Sequence, residues 1–168
     1  MTVEWRIELL DSRHDRAGFD CGNAPLNRYL SQLASQDARR LIANCFVACP
    51  INTVIVAGFY TLAAAELPVS ALPADLGRKL PRYPTVPVVR VGRLAVDLRH
   101  RGRGLGAILI ANAIGQVLRS DIAAYALIVD AKDAAAAAFY RHIGFLPAGK
   151  NDHALFLPLA TARKAIEK

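Results

Sequence analysis

The sequence predicts an α+β fold: a central mixed sheet, mostly antiparallel with one parallel strand pair, flanked by helices. Three observations predict it. Residues 44–49 and 54–62 are β-rich and separated by a Pro-Ile-Asn-Thr turn signal, which reads as an antiparallel hairpin. Residues 88–96, 104–118, 124–129 and 133–141 then alternate strand and helix, and that succession demands a parallel pair joined by a crossover helix. The chain closes on β signals at Phe145 and residues 154–159.

Taken in order, residues 3–9 read as a first strand. After the turn-rich residues 20–23, the stretch 25–41 spaces Leu26, Tyr29, Leu30 and Leu33 at helical intervals, enough for one or two helices. The second hairpin strand includes Gly58. Between residues 68 and 87 five prolines break every regular pattern, leaving a long surface loop with room for one short helix around 74–80. In residues 104–118, Leu105, Leu109, Ala113 and Val117 recur four apart with Ile108 alongside, as a buried helix face requires. Residues 133–141 form an alanine-rich helix with Asp133 near its start. There is no internal repeat.

A chain of 168 residues, 54% of them hydrophobic, can bury one sizeable core, so one domain over residues 1–168 is expected. No apolar run approaches the roughly 18 to 20 residues that cross a bilayer, and the first ten residues carry Glu4, Arg6 and Glu8 where a signal peptide needs an apolar stretch. The expectation is a cytoplasmic protein with no membrane partner. Cys21, Cys45 and Cys49 are odd in number, and no histidine near the last two completes a zinc site. They read as reduced structural thiols. His14, His100, His142 and His153 show no ligand spacing, and no metal is expected. The net charge of +7 argues for a polyanionic partner without saying which.

The sharpest local signal is Arg101-Gly102-Arg103-Gly104-Leu105-Gly106, between a strand and a helix. Alternating glycines let the backbone turn tightly, so that free amides at the helix start can bind a phosphate, and Arg101 and Arg103 add charge. Residues Gly102 to Ala107 also satisfy the dinucleotide fingerprint Gly-x-Gly-x-x-Ala, with Asp130 downstream as its ribose-binding acid. Against that rival, five residues from Asp97 to Arg101 separate strand from motif. Only about sixty residues follow Gly106, whereas each βαβ unit takes roughly thirty. A nucleotide P-loop fails because no Gly-Lys-Ser/Thr follows. A glycine-rich turn with no ligand is the bland alternative.

At these residues the chain resembles the GCN5-related N-acetyltransferases, whose cofactor signature Arg/Gln-x-x-Gly-x-Gly/Ala is matched by Arg101, Gly104 and Gly106. The match extends to Gly92-Arg93-Leu94-Ala95-Val96-Asp97 before the loop and to Phe139-Tyr140-Arg141-His142-Ile143-Gly144-Phe145 after the next strand. It is similar in particular to the acetyltransferase toxins of bacterial toxin–antitoxin pairs, through Phe19-Asp20-Cys21-Gly22-Asn23 before a helix with Leu26, Asn27 and Leu30. Gly58-Phe59-Tyr60-Thr61-Leu62, Pro81-Arg82-Tyr83-Pro84, Val129-Asp130-Ala131 and Leu155-Phe156-Leu157-Pro158-Leu159 also look like that subgroup. Each stretch is short, and their order over nearly the whole chain carries the weight.

The resemblance implies the family's fold, in which the parallel strand pair splays, and acetyl-CoA as cosubstrate. Backbone groups of Leu94, Ala95 and Val96 would hold the thioester and pantetheine. Amides from Arg103 through Gly104, Leu105 and Gly106 to Ala107 would hold the pyrophosphate, with Arg101 and Gly102 completing the loop and Asp130 and Phe139 beside the cofactor. Tyr140 is the candidate general acid toward the sulfur, since a phenol with a pKa near 10 stays protonated at neutral pH. The bland alternative for Tyr140 is an amphipathic core tyrosine packed under the helix, and its neighbour Phe139 reads as a core residue. Asp130, Asp133 and Glu66 are candidate bases, though acids at such places are more often caps or solvated charges. An α-amino group titrates at about 7.7 to 8, and an adjacent ester lowers it further, so a water can suffice as base.

Between Gly77 and Gly104 lie Arg78, Lys79, Arg82, Arg90, Arg93, Arg99, Arg101 and Arg103 against the single acid Asp97. One cofactor hardly needs so many, and the excess suits a polyanion passing the active-site mouth. The alternative is a merely solvated basic face. A substrate joining a nucleic-acid backbone to an amine is an aminoacyl-tRNA, and the toxin subgroup acetylates such amines and stops translation. Arg78, Arg82, Arg90 and Arg93 are the expected phosphate contacts, with Arg39 and Arg40 as a second patch. The same resemblance implies a ribbon-helix-helix antitoxin, operator DNA contacted only through the toxin–antitoxin complex, and a homodimer. Two other functions stay open: an acetyltransferase of a small amine, polyamine or protein, and a non-enzymatic module that binds antitoxin or nucleic acid.

Overall fold

The computed structural model describes residues 3–167. In chain order the elements are β1 (Trp5–Leu9), α1 (Ala24–Arg28), a π turn (Tyr29–Leu33), α2 (Ala34–Arg39), β2 (Asn44–Pro50), β3 (Gly58–Pro68), a 3-10 turn (Val69–Ala71) and α3 (Ala74–Gly77). They continue with β4 (Thr85–Val96), a second 3-10 turn (Leu98–His100), α4 (Leu105–Arg119), β5 (Ala126–Asp130), α5 (Ala134–Ile143), β6 (Leu146–Pro147), β7 (Ala154–Pro158) and α6 (Leu159–Glu167). The strands form one seven-stranded sheet in the order β1-β2-β3-β4-β5-β7-β6. Its β4–β5 pair is parallel, in register from Val88↔Ala126 to Val91↔Val129, and β4 continues to Val96. This is the expected mixed α+β architecture.

The chain groups into two compact units, one of residues up to Ala63 with Gly92–Ala113, the other of Ala64–Val91 with the chain from Ile114 on. In the first, β1 and β3 flank β2 antiparallel, and a core of Phe19, Tyr29, Leu30, Ala34, Cys45, Val47, Cys49, Val56 and Phe59 fills one face. Asn23 starts α1 by accepting from the Leu26 amide (3.0 Å), with Pro25 in the first turn, where a proline's missing N–H is no loss. The π turn that follows was not visible in the spacing. It unwinds the register, so Leu33 is turned out to 43% exposure and Ala34 takes the buried place. Arg16 answers the turn by donating Nη1 to the Leu30 carbonyl (2.9 Å).

The hairpin lies further along than expected. Residues 54 and 55 leave the strand because Asp15 claims them: its amide donates to the Val54 carbonyl (2.7 Å) and it bridges Ile55. β3 therefore begins at Gly58 and runs to Pro68, six residues past the expected end of the strand at Leu62. Cys45 and Cys49, four apart on β2, point into the core together, and burial pushes the Cys45 thiol up to about 12 and raises Cys49 as well. They are inert thiols.

In the second unit β7 pairs antiparallel with both β5 and β6. Leu67, Leu72, Val86, Val88, Ala126, Ile128, Ala148 and Phe156 form its core, and the proline-rich loop is pinned by Val69 N to Pro84 O (3.0 Å) and Gly149 N to Ala71 O (2.7 Å). Asp133 caps α5 by accepting from the Ala136 amide (2.8 Å). After β7 the described residues run on into α6, beyond the β signals expected for residues 154–159. On α4 the expected buried face holds at Leu105, Leu109, Ala113 and Val117, joined by Ile110 and Ile114, but Ile108 is 39% exposed and lies off that face. Among the described residues no helix is long and apolar enough to cross a membrane. Nor, among them, could any group of three or more His, Cys, Asp or Glu hold a metal ion.

Candidate cofactor loop and catalytic tyrosine

The route from β4 to α4 runs through the 3-10 turn and residues 101–104, all four exposed. Gly102 and Gly104 adopt φ of +76° and +78°, a conformation that costs a residue with a side chain about 1–2 kcal/mol. A Cβ at either would meet nothing within 4 Å, so conformation rather than crowding requires glycine there. Ile108 N donates to Gly104 O (3.1 Å), so the amides of Leu105, Gly106 and Ala107 precede the helix's own acceptors and lie at its positive end. That arrangement fits an anionic group such as a pyrophosphate. Upstream, Leu94 and Val96 are half-buried and Ala95 is buried. Gly58 lets β3 approach closely: a Cβ there would lie 3.1 Å from Leu105 Cδ2 and 3.2 Å from the Ala95 carbonyl.

Asp97, only 1% exposed, ties this route down. Its carboxylate accepts from the Asp20 amide (3.1 Å), the Arg99 amide (2.9 Å) and Arg99 Nε and Nη2 (2.9 and 3.0 Å). Burial works against the ionised form, but the Arg99 side chain and the two amides outweigh it and hold the pKa at about 2. Arg101 Nη2 donates to the Cys21 carbonyl (2.9 Å). Neither attachment was expected from the sequence. The signal that could have found Asp97 is its position as the lone acid in a run of arginines.

Tyr140 projects from α5 with 8% exposure, between Phe139 (ring centroids 5.2 Å, edge-on) and Phe145 (5.4 Å). Burial raises its pKa to about 12, so its hydroxyl stays protonated throughout the neutral range. Phe139 is half-buried, not core. Gly144, at φ +129°, stops the helix after it. Asp130, at the end of β5, is bonded to the Arg90 guanidinium. Asp133 is engaged as the α5 cap and Glu66 is exposed on β3.

The arginines divide into two groups. Arg99 is answered by Asp97 and Arg90 by Asp130, and Arg93 lies over the Tyr29 ring (3.7 Å to its centroid), whose hydroxyl donates to Asp37 (2.8 Å). Arg78, Arg82, Arg39 and Arg40 are exposed, and among the described residues no ion pair or side-chain hydrogen bond engages them. The count of cations read from the sequence thus overstates the charge available to a partner.

A strand running through positive-φ glycines into a helix whose first amides are free, within a mixed sheet with one parallel pair, fits the class of proteins that hold an anionic ligand by main chain. The chain belongs to the acetyltransferase (GNAT) family, whose model matches residues 34–145. It is 34% identical over 154 residues to a tRNA-acetylating toxin of Mycobacterium tuberculosis (strain ATCC 25618 / H37Rv), covering 90% of each chain. Among solved structures it resembles AtaT complexed with acetyl-methionyl-tRNAfMet (TM-score 0.90, 34% identity, 97% of this chain and 99% of that one). It also resembles a tyrosine-to-phenylalanine mutant of AtaT bound to the C-terminus of the antitoxin AtaR and acetyl-CoA (0.82, 30%, 98% and 99%). A third likeness is to the AtaT–AtaR complex bound to DNA (0.76, 31%, 96% and 99%).

Proposed function

We propose that this chain, a single acetyltransferase domain, is a toxin that transfers acetyl from acetyl-CoA to the α-amino group of an aminoacyl-tRNA and so blocks translation. The observation that carries this reading is whole-length likeness to a toxin solved with acetylated tRNA, with the glycine loop and Tyr140 intact. Acetyl-CoA supplies an activated acetyl group: the amine lone pair forms the new C–N bond as the C–S bond breaks, leaving a thiolate.

The chain's own part is to bind, orient and protonate. Amides from Arg103 to Ala107 hold the pyrophosphate, and main-chain groups of Leu94, Ala95 and Val96 align the thioester, with Asp130 and Phe139 flanking the cofactor. Tyr140 donates its hydroxyl proton to the departing sulfur. The amine loses its extra proton to water. Arg78, Arg82, Arg39 and Arg40 contact tRNA phosphates, while Arg90 and Arg93 serve mainly their partners Asp130 and Tyr29. In this reading the protein is cytoplasmic and dimeric. A ribbon-helix-helix antitoxin neutralises it and brings the pair to operator DNA.

Incubation with acetyl-CoA and total charged tRNA, followed by mass spectrometry of the released amino acids, should reveal N-acetylated species. Tyr140→Phe should lower their formation about 10²- to 10⁴-fold without abolishing acetyl-CoA binding. With Tyr140 protonated to about pH 12, activity should rise as the amine deprotonates and hold level to about pH 10. Unmodified amino acids throughout would remove the tRNA reading.

A further inference from the structure

The glycine loop is exposed and carries two positive-φ glycines, so left to itself it would sample many conformations, and ordering each residue costs conformational entropy. Its entry is instead fastened to a turn about eighty residues earlier in the chain. Arg101 Nη2 donates to Cys21 O (2.9 Å), Leu98 N to Asp20 O (2.9 Å) and Asp20 N to Asp97 Oδ2 (3.1 Å). Behind the loop, Asp97 N donates to Ala57 O (2.8 Å).

The turn itself is pre-shaped. Asp20 Oδ1 accepts from Gly22 N (2.8 Å) and Asn27 Nδ2 (3.0 Å), and Asn27 Oδ1 accepts from Cys21 N (2.9 Å). Gly22 sits at φ +83° against Leu98 and Arg101. Both polar atoms of Asn27 are therefore spent on the turn that presents the Cys21 carbonyl to Arg101: Oδ1 holds the Cys21 amide, and Nδ2 holds the Asp20 carboxylate that in turn takes the Gly22 amide.

We propose that the turn at residues 19–23 is the seat of the glycine loop, and that Asn27, Asp97 and Arg101 are positioning residues that set the loop's amides before the cofactor arrives. Arg101 then acts through its grip on the Cys21 carbonyl as well as through its charge. The proposal rests on the reading of residues 101–107 as the acetyl-CoA pyrophosphate site, and it adds that the site is preorganised from a distance.

The test is a double-mutant cycle of Asn27→Ala and Arg101→Ala, read by isothermal titration with acetyl-CoA. Each single variant should weaken binding about five- to ten-fold, the worth of one net hydrogen bond, and the double variant should be no weaker than the poorer single. In turnover, Asn27→Ala should raise KM for acetyl-CoA and keep kcat within about two-fold, which general destabilisation would not do. Losses that multiply, or an Asn27→Ala variant with unchanged affinity, would overturn the proposal. Amide exchange in the protein without cofactor gives a separate readout: residues 101–106 should exchange faster in Asn27→Ala while β2 stays protected, and unchanged exchange there would also overturn it. Wild-type protein that fails to bind acetyl-CoA sinks the cofactor reading instead, and the exchange result still decides the seat.

Discussion

Leu41 closes α2 at φ +59°, where a glycine normally sits, and the Ile42 amide donates back to the Asp37 carbonyl (2.9 Å) to complete the cap. The leucine is 89% exposed, so no burial offsets the strain. Leu41→Gly should therefore stabilise the protein by about 0.5–1 kcal/mol after the extra freedom of glycine in the unfolded chain is subtracted. Urea midpoints of the two proteins check this, and a lower midpoint for the variant would contradict it. The candidate site residues were legible because they sit in short ordered motifs, as with Tyr140 and Gly104. Their partners were not: Arg99 finds Asp97 two residues away, but Arg90 finds Asp130 across forty and Arg101 finds Cys21 across eighty. Spacing along a chain holds no record of pairings made by folding.

At the level of elements, β4, the glycine loop and α4 work as one piece, and two of the glycines around them are needed for different reasons. Gly104→Ala introduces strain at φ +78° with nothing to clash against, so it should cost about 1–2 kcal/mol and weaken acetyl-CoA binding about ten-fold by turning the helix-start amides away. Gly58→Ala pushes a methyl against Leu105, Leu109 and the Ala95 carbonyl, so its main effect should be overpacking, about 1–3 kcal/mol of stability. Thermal melts and calorimetric titration of both variants separate the two cases. Equal loss of affinity at equal loss of stability would refute the distinction. The strand–loop–helix was legible because its glycines and apolar period are local. The π turn was not, since its lengthened register mimics ordinary helical spacing, and β3 extended through Ala63, Ala64 and Ala65, which carry no strand signal of their own.

Across the whole molecule the net charge is +7, and ion pairs with Asp97 and Asp130 leave only some of the arginines near the glycine loop free for a partner. The glycine loop proposed as the donor site was legible because alternating glycines mark it locally. The acceptor was legible only as a class, since surface cations are read one at a time and their availability depends on folding. If Arg78, Arg82, Arg39 and Arg40 contact tRNA phosphates, about four released counterions make log affinity fall with log salt at a slope near −3. Raising monovalent salt from about 50 to about 200 mM should then weaken tRNA binding roughly 60-fold. Arg82→Ala should reduce that slope by about 1, whereas Arg90→Ala, whose charge Asp130 already answers, should barely change it. Filter binding across a salt series measures both. A larger change in slope for Arg90→Ala than for Arg82→Ala would mean that the Asp130 pair opens to the RNA, and that the free arginines named from this structure are the wrong ones.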